Sequence, residues 1–167
     1  MHALLKQINN KKEKLYSLLK EAEPFHFIGI AGSGMTPLAL VLHKLGIKFS
    51  GSDLQTNSFM DSLKKQHISF YQTHLPQQVE QAKTVVFSSA IKENNCELQA
   101  AIQQNKKILH RAQLLELIAK HYFLIAVAGT HGKTTTTGLI THMLQALGQE
   151  PSAIIGASLE APYRTPS

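Results

Sequence analysis

The chain has 167 residues, of which 43% are hydrophobic and 17% charged, with a formal net charge of +6. That is enough apolar material for one or two packed domains and too little charge for a disordered chain. The single cysteine, Cys96, excludes a disulfide framework and a cysteine-rich metal site, and no two of the nine histidines have the i, i+4 spacing of a helical zinc site. No apolar run reaches the ~20 residues of a membrane span. The N-terminus is too polar for a signal peptide, so the chain reads as cytoplasmic, with no membrane partner.

Residues 1–24 form a leading helix-like segment. Its basic residues, Lys6, Lys11, Lys12, Lys14 and Lys20, are partly offset by Glu13, Glu21 and Glu23. The remaining basic residues are scattered without interleaved aromatics, which points to a solvated helix face and not to a nucleic-acid surface.

The stretch FHFIGIAGSGM, residues 25–35, runs as strand, glycine turn and helix start, the helix continuing to Leu45 before Gly46. The spacing of Gly29, Gly32 and Gly34 is a relative of the dinucleotide-binding fingerprint, in which backbone approaches a diphosphate closely. A second strand over 48–53 ends in Asp53, where doubly wound folds place a carboxylate on a ribose; a turn or cap role is the alternative. Beyond it the pattern alternates: helix 58–67, strand 68–71, helix 75–82, strand 84–88, helix 93–105, strand 107–110 and helix 113–121. This alternation predicts a parallel α/β sheet with ligands at the carboxyl ends of its strands. The polar tips there are 50–53, 88–91 and His110 with Arg111; capping for Ser88 and Ser89, or a surface position for Arg111, are the competing readings.

The apolar run YFLIAVA, residues 122–128, reads as a strand buried on both faces and opens a second domain. It leads into GTHGKTT: Gly129, Thr130, His131, Gly132, Lys133, Thr134 and Thr135. Ile140, Met143, Leu144 and Leu147 then recur at helical spacing until Gly148 and Pro151, and a short strand is expected at 153–155. Strand, glycine turn and helix N-terminus make an anion site. Lys133 would reach terminal phosphates, and the Thr134 hydroxyl is placed to hold a magnesium ion. The general P-loop pattern wants glycine at position 127, where this chain has Val127. ATP or GTP binding is expected here.

These motifs together resemble the Mur ligases, which build the peptide of bacterial peptidoglycan. Residues 129–135 resemble the ATP loop of the whole family. Residues 26–35, 50–54, 88–91, 111–112 and 125–131 follow its alanine-adding branch in order and spacing. The resemblance implies a Rossmann-like domain over 25–121 that holds UDP-N-acetylmuramate, and the start of a P-loop ATPase domain over 122–167. It implies that ATP, with Mg2+, phosphorylates the lactyl carboxylate, and that the amine of L-alanine then displaces phosphate from the acyl phosphate. On this resemblance Gly32, Ser33, Gly34 and Met35 would face the UDP diphosphate, Asp53 the uridine, and Ser88, Ser89, Ala90 and Ile91 the same cleft. Lys133 would be the catalytic cation. Ala31 stands where the family commonly has glycine, so a left-handed backbone there would be strained. The chain stops before the further strands of a P-loop core and the family's third domain, so it is expected to be an amino-terminal piece, inactive alone. The competing functions are the tripeptide-recycling ligase of the same family, an NAD-dependent oxidoreductase, which leaves 129–135 unemployed, and a non-catalytic nucleotide-binding module.

Overall fold

The computed structural model describes residues 2–55 and 57–155, which divide between Leu124 and Ile125 into two compact units. The first unit is built on four short strands: β1 (Phe25–Ile28), β2 (Phe49–Ser52), β3 (Thr84–Phe87) and β4 (Lys107–His110). They lie in the order β2-β1-β3-β4, all parallel. The chain leaves β1 toward β2 on one side and returns to β3 on the other. The carboxyl ends of β1 and β3 therefore flank the point where strand order reverses, the usual ligand crevice of an open α/β sheet.

Two apolar layers cover the sheet because side chains alternate faces along each strand. Phe25 and Phe27 of β1 join Leu38, Ala39 and Leu42 of α2 (Thr36–Lys44) and Leu114 and Ile118 of α5 (Arg111–Ala119). Phe27 also meets Phe49 of β2 edge-on, with ring centroids 5.6 Å apart. Leu63 of α3 (Ser58–Lys65) belongs to the same layer. On the opposite face, Ile28 and Val85 pack with Val79, Ala82 and Leu98, Ala100 and Ala101 of α4 (Cys96–Gln103). The leading segment is a helix, α1 (His2–Ala22), and part of this core: Leu15 and Leu19, one turn apart, are 1% and 0% exposed. The Ala22 carbonyl also accepts the Thr84 hydroxyl at 2.8 Å.

Several expected elements are shorter. The strand expected at 68–71 is a single bridge between Tyr71 and Ser52. The helix expected at 75–82 is a 3-10 turn, Pro76–Val79. Asn95 caps α4 by accepting the N–H groups of Glu97 and Leu98, which starts that helix at Cys96 instead of Glu93.

The described residues of the second unit hold one helix, α6 (Lys133–Ala146). The strands expected at 122–128 and 153–155 do not form. A strand's backbone groups need a neighbouring strand, and the described residues of this unit supply none. Phe123, Leu124 and Ile125, expected in a buried strand, are 94%, 62% and 50% exposed, and Met143 and Leu147 of α6 are 63% and 72% exposed.

Candidate functional site

The turn after β1 is built to leave backbone donors open. Gly29 takes φ +77°, closed to most side chains. The N–H groups of Gly29 and Ile30 both donate to the Ser52 carbonyl, at 2.8 and 3.0 Å, and Gly32 donates back to Gly29 at 3.1 Å. Thr36 locks the turn from the helix side, its hydroxyl donating to the Ile30 carbonyl at 2.8 Å. Among the described residues, the N–H groups of Ser33 and Gly34 have no acceptor. They stand just ahead of α2, whose dipole favours negative charge. Ala31 is not among the residues with positive φ, so the strain expected from its missing glycine does not arise.

Two residues expected to face a ligand do something else. Met35 is 1% exposed and belongs to the core beneath the turn, with its N–H donated to Gly32 at 2.9 Å. A thioether there stabilises by apolar burial and presents nothing to a diphosphate. Asp53, expected at the uridine, is 8% exposed and turned onto the protein's own backbone. Its Oδ2 accepts the Ala31 N–H and its Oδ1 the Gln55 N–H, both at 2.9 Å. It is a clamp on the glycine turn: a buried carboxylate needs such donors once water is excluded.

The other strand tips converge on the same turn. Ile91 lies against Gly29, where an added Cβ would meet Ile91 Cδ1 at 3.3 Å. Ser89 Oγ lies 3.0 Å from His110 Nε2, and His110 caps α5 together with Gln113. Ser88 is half-buried, whereas Ser89 and Ala90 are exposed. Arg111, first residue of α5, crosses Gly34: a Cβ there would come within 2.7 Å of Arg111 Nη1. A guanidinium beside two open N–H groups is a fitting anion site; in the sequence, strand-tip position and the family resemblance over 111–112 pointed to it.

Sequence reasoning missed a second feature entirely. Behind the β1–β2 edge, Glu97 is fully buried between His26, Ser52 and His74. The legible signal was the alternation within each strand, which puts His26 on one face of β1 and Ser50 with Ser52 on one face of β2; that these faces coincide is set by the register.

In the second unit, Gly132 caps α6 in the left-handed conformation at φ +77°, and Gly129 has φ +152°. The loop curls around Lys133, whose ammonium donates to the carbonyls of Gly129 and Thr130. Thr130, His131, Thr134 and Thr135 are exposed around it. Among the described residues no cluster of three His, Cys, Asp or Glu could hold a metal ion. Thr134 offers one neutral oxygen, which fits a magnesium ion carried on nucleotide phosphates and not one bound by the protein alone. No described helix is long and apolar enough to cross a membrane.

A model of the Mur ligase family, catalytic domain, matches residues 24–123. The chain is 48% identical over 136 residues to a UDP-N-acetylmuramate–L-alanine ligase of Vesicomyosocius okutanii, a match covering 81% of this chain and 29% of that protein. To a ligase of the same name from Aquifex aeolicus it is 41% identical over 143 residues, covering 86% of this chain and 32% of that one. It thus spans about a third of the length of the curated relatives it matches. The crystal structure of a UDP-N-acetylmuramate–alanine ligase from Thermotoga maritima superposes with a TM-score of 0.72 at 29% identity, covering 76% of this chain and 30% of that one. A UDP-N-acetylmuramate:L-alanyl-gamma-D-glutamyl-meso-diaminopimelate ligase from Neisseria meningitides gives 0.70 at 28% identity, covering 76% and 40%.

Proposed function

The chain belongs to the Mur ligase family, and on that premise we propose that it carries the UDP-substrate cleft and phosphate loop of an ATP-dependent ligase. That ligase joins L-alanine to the lactyl carboxylate of UDP-N-acetylmuramate. The observation that carries the reading is the turn at 29–34, where the open N–H groups of Ser33 and Gly34 and the Arg111 guanidinium meet at the point of strand-order reversal. A diphosphate matches this charge and geometry. Ser88, Ser89, Ala90 and Ile91 line the neighbouring tip, and Asp53 holds the turn from behind.

In the reaction, a carboxylate oxygen attacks the γ-phosphorus of ATP and ADP leaves. The amine of L-alanine then attacks the acyl carbon, loses a proton, and inorganic phosphate departs. Lys133 would neutralise charge on the transferred phosphoryl group, with the Gly129–Thr135 backbone as cradle. Thr134 would hold a magnesium ion together with the nucleotide, and that ion would supply further charge neutralisation.

Calorimetry of the 167-residue chain with UDP-N-acetylmuramate, ATP and NADH separates the readings. Saturable one-to-one binding of UDP-N-acetylmuramate, and none of NADH, is expected. NADH binding without UDP-N-acetylmuramate binding would replace the ligase reading with an oxidoreductase one.

A further inference from the structure

Glu97 is 0% exposed, in the first turn of α4. An ionised carboxylate only accepts hydrogen bonds, so each contact must bring a proton from its partner. Ser52 donates its hydroxyl to Oε2 at 2.6 Å, and His74 Nδ1 faces the same oxygen at 2.6 Å. His26 Nε2 faces Oε1 at 3.1 Å. With its amide turned so that nitrogen faces acceptors, Gln78 also donates to Oε1, at 2.6 Å. Around an ionised Glu97 and with neutral imidazoles, the proton is on Nδ1 of His74 and on Nε2 of His26, and His26 Nδ1 accepts the Ser50 hydroxyl at 2.7 Å. Cys96 reinforces the arrangement by donating to the His74 carbonyl at 3.2 Å.

One buried carboxylate thus ties together β1, both serines of β2, the segment after Tyr71 and α4. Replacing a buried charged network by packed apolar side chains often leaves stability unchanged or raises it, so stability alone is a weak account of it. What the network holds is specific. Ser52, fixed through its hydroxyl, is the residue whose carbonyl takes the N–H groups of Gly29 and Ile30, and its neighbour Asp53 takes that of Ala31. We infer that Glu97 is a positioning residue for the diphosphate turn, acting through Ser52 and His74 without touching the ligand. Its ligand-related part rests on the UDP-substrate reading; its effect on the turn does not.

The test is Glu97→Gln in the 167-residue chain, which keeps the shape and removes the charge and one acceptor oxygen. Amide hydrogen exchange at Gly29, Ile30 and Ala31 should quicken at least tenfold while Val85 and Val86 of β3 keep wild-type protection. Calorimetry should show at least tenfold weaker UDP-N-acetylmuramate binding at unchanged stoichiometry, with ATP binding unaffected. If the variant does not fold, Ser52→Ala is read in the same way. Wild-type exchange at 29–31, or equal loosening of β3, would overturn the inference, the second result marking Glu97 as a general stabiliser. A wild-type chain that binds no UDP-N-acetylmuramate, with 29–31 still selectively loosened by the substitution, would sink the substrate reading and leave the positioning role standing.

Discussion

Arg111 lies across Gly34: the guanidinium occupies the space a side chain at position 34 would need, with Nη1 2.7 Å from an ideal Cβ. Gly34 does not have a positive φ, so Gly34→Ala is tolerated by the backbone and must instead push the guanidinium aside. The variant should unfold within ~0.5 kcal/mol of wild type, as for an ordinary surface change. Its affinity for UDP-N-acetylmuramate should nevertheless fall, and Arg111→Ala should lower it by about 1.5–3 kcal/mol, as for a charged hydrogen bond. Calorimetry beside denaturant unfolding measures both. Unchanged affinity in Arg111→Ala would remove the guanidinium from the site.

Gly51 presents the opposite case, a buried crowding with no flexible neighbour. A Cβ there would lie 2.6 Å from Ile30 Cδ1 and 2.8 Å from Ile30 Cβ. Ile30 is held by its own bonds to Ser52 and Thr36. Gly51→Ala should therefore destabilise the first unit by about 1–3 kcal/mol, the usual cost of overpacking. Thermal unfolding should register a drop of several degrees; an unshifted midpoint would show that the turn moves freely.

Removing the Lys133 ammonium leaves phosphoryl charge less compensated. In an active ligase bearing this loop, Lys133→Ala should cut turnover by far more than tenfold, a factor worth about 1.4 kcal/mol. Affinity for UDP-N-acetylmuramate should barely change, because the groups assigned to it belong to the other unit. Steady-state kinetics that retain more than about a tenth of the wild-type rate would contradict the assignment.

Glu23 gives the first unit a pH dependence of known sign. Its carboxyl is held below the usual range by the Lys48 N–H at 2.8 Å, and further by the Lys20 ammonium at 3.1 Å. A folded value below the unfolded one means that the stabilisation is complete above the ordinary carboxylate range. It disappears as pH falls through the folded value. Glu23→Gln should be less stable than wild type near neutrality, and the gap should close in acid. Urea titrations at about pH 7 and about pH 3 check it; a gap of constant size would point to lost packing instead.

Exposed apolar side chains before α6 and along it predict early opening of the second unit. Amides of α6 should exchange well before those of β1 and β3, whose residues are almost all buried. Equal protection in a hydrogen-exchange experiment would mean that α6 has packing partners of its own.

The sequence alone determined the alternation of strands and helices, the two glycine turns and the family. Those features depend on local periods and on glycine's access to angles other residues avoid, and such signals survive without knowledge of neighbours. It pointed to Lys133 and the turn at 29–34 as candidate phosphate-binding groups for the same reason. Only the tertiary structure decided what depends on who lies alongside. Met35 reads as part of a ligand loop but points into the core, and Asp53 reads as a ribose partner but clamps Ala31, because burial and hydrogen-bond partners are set by packing. The run 122–128 has the composition of a strand and forms none, since a strand exists only beside another. Arg111 and Gly34, or Glu97 and His26, stand far apart in the chain, and a parallel sheet joined by crossovers is what brings their strand ends and helix starts together.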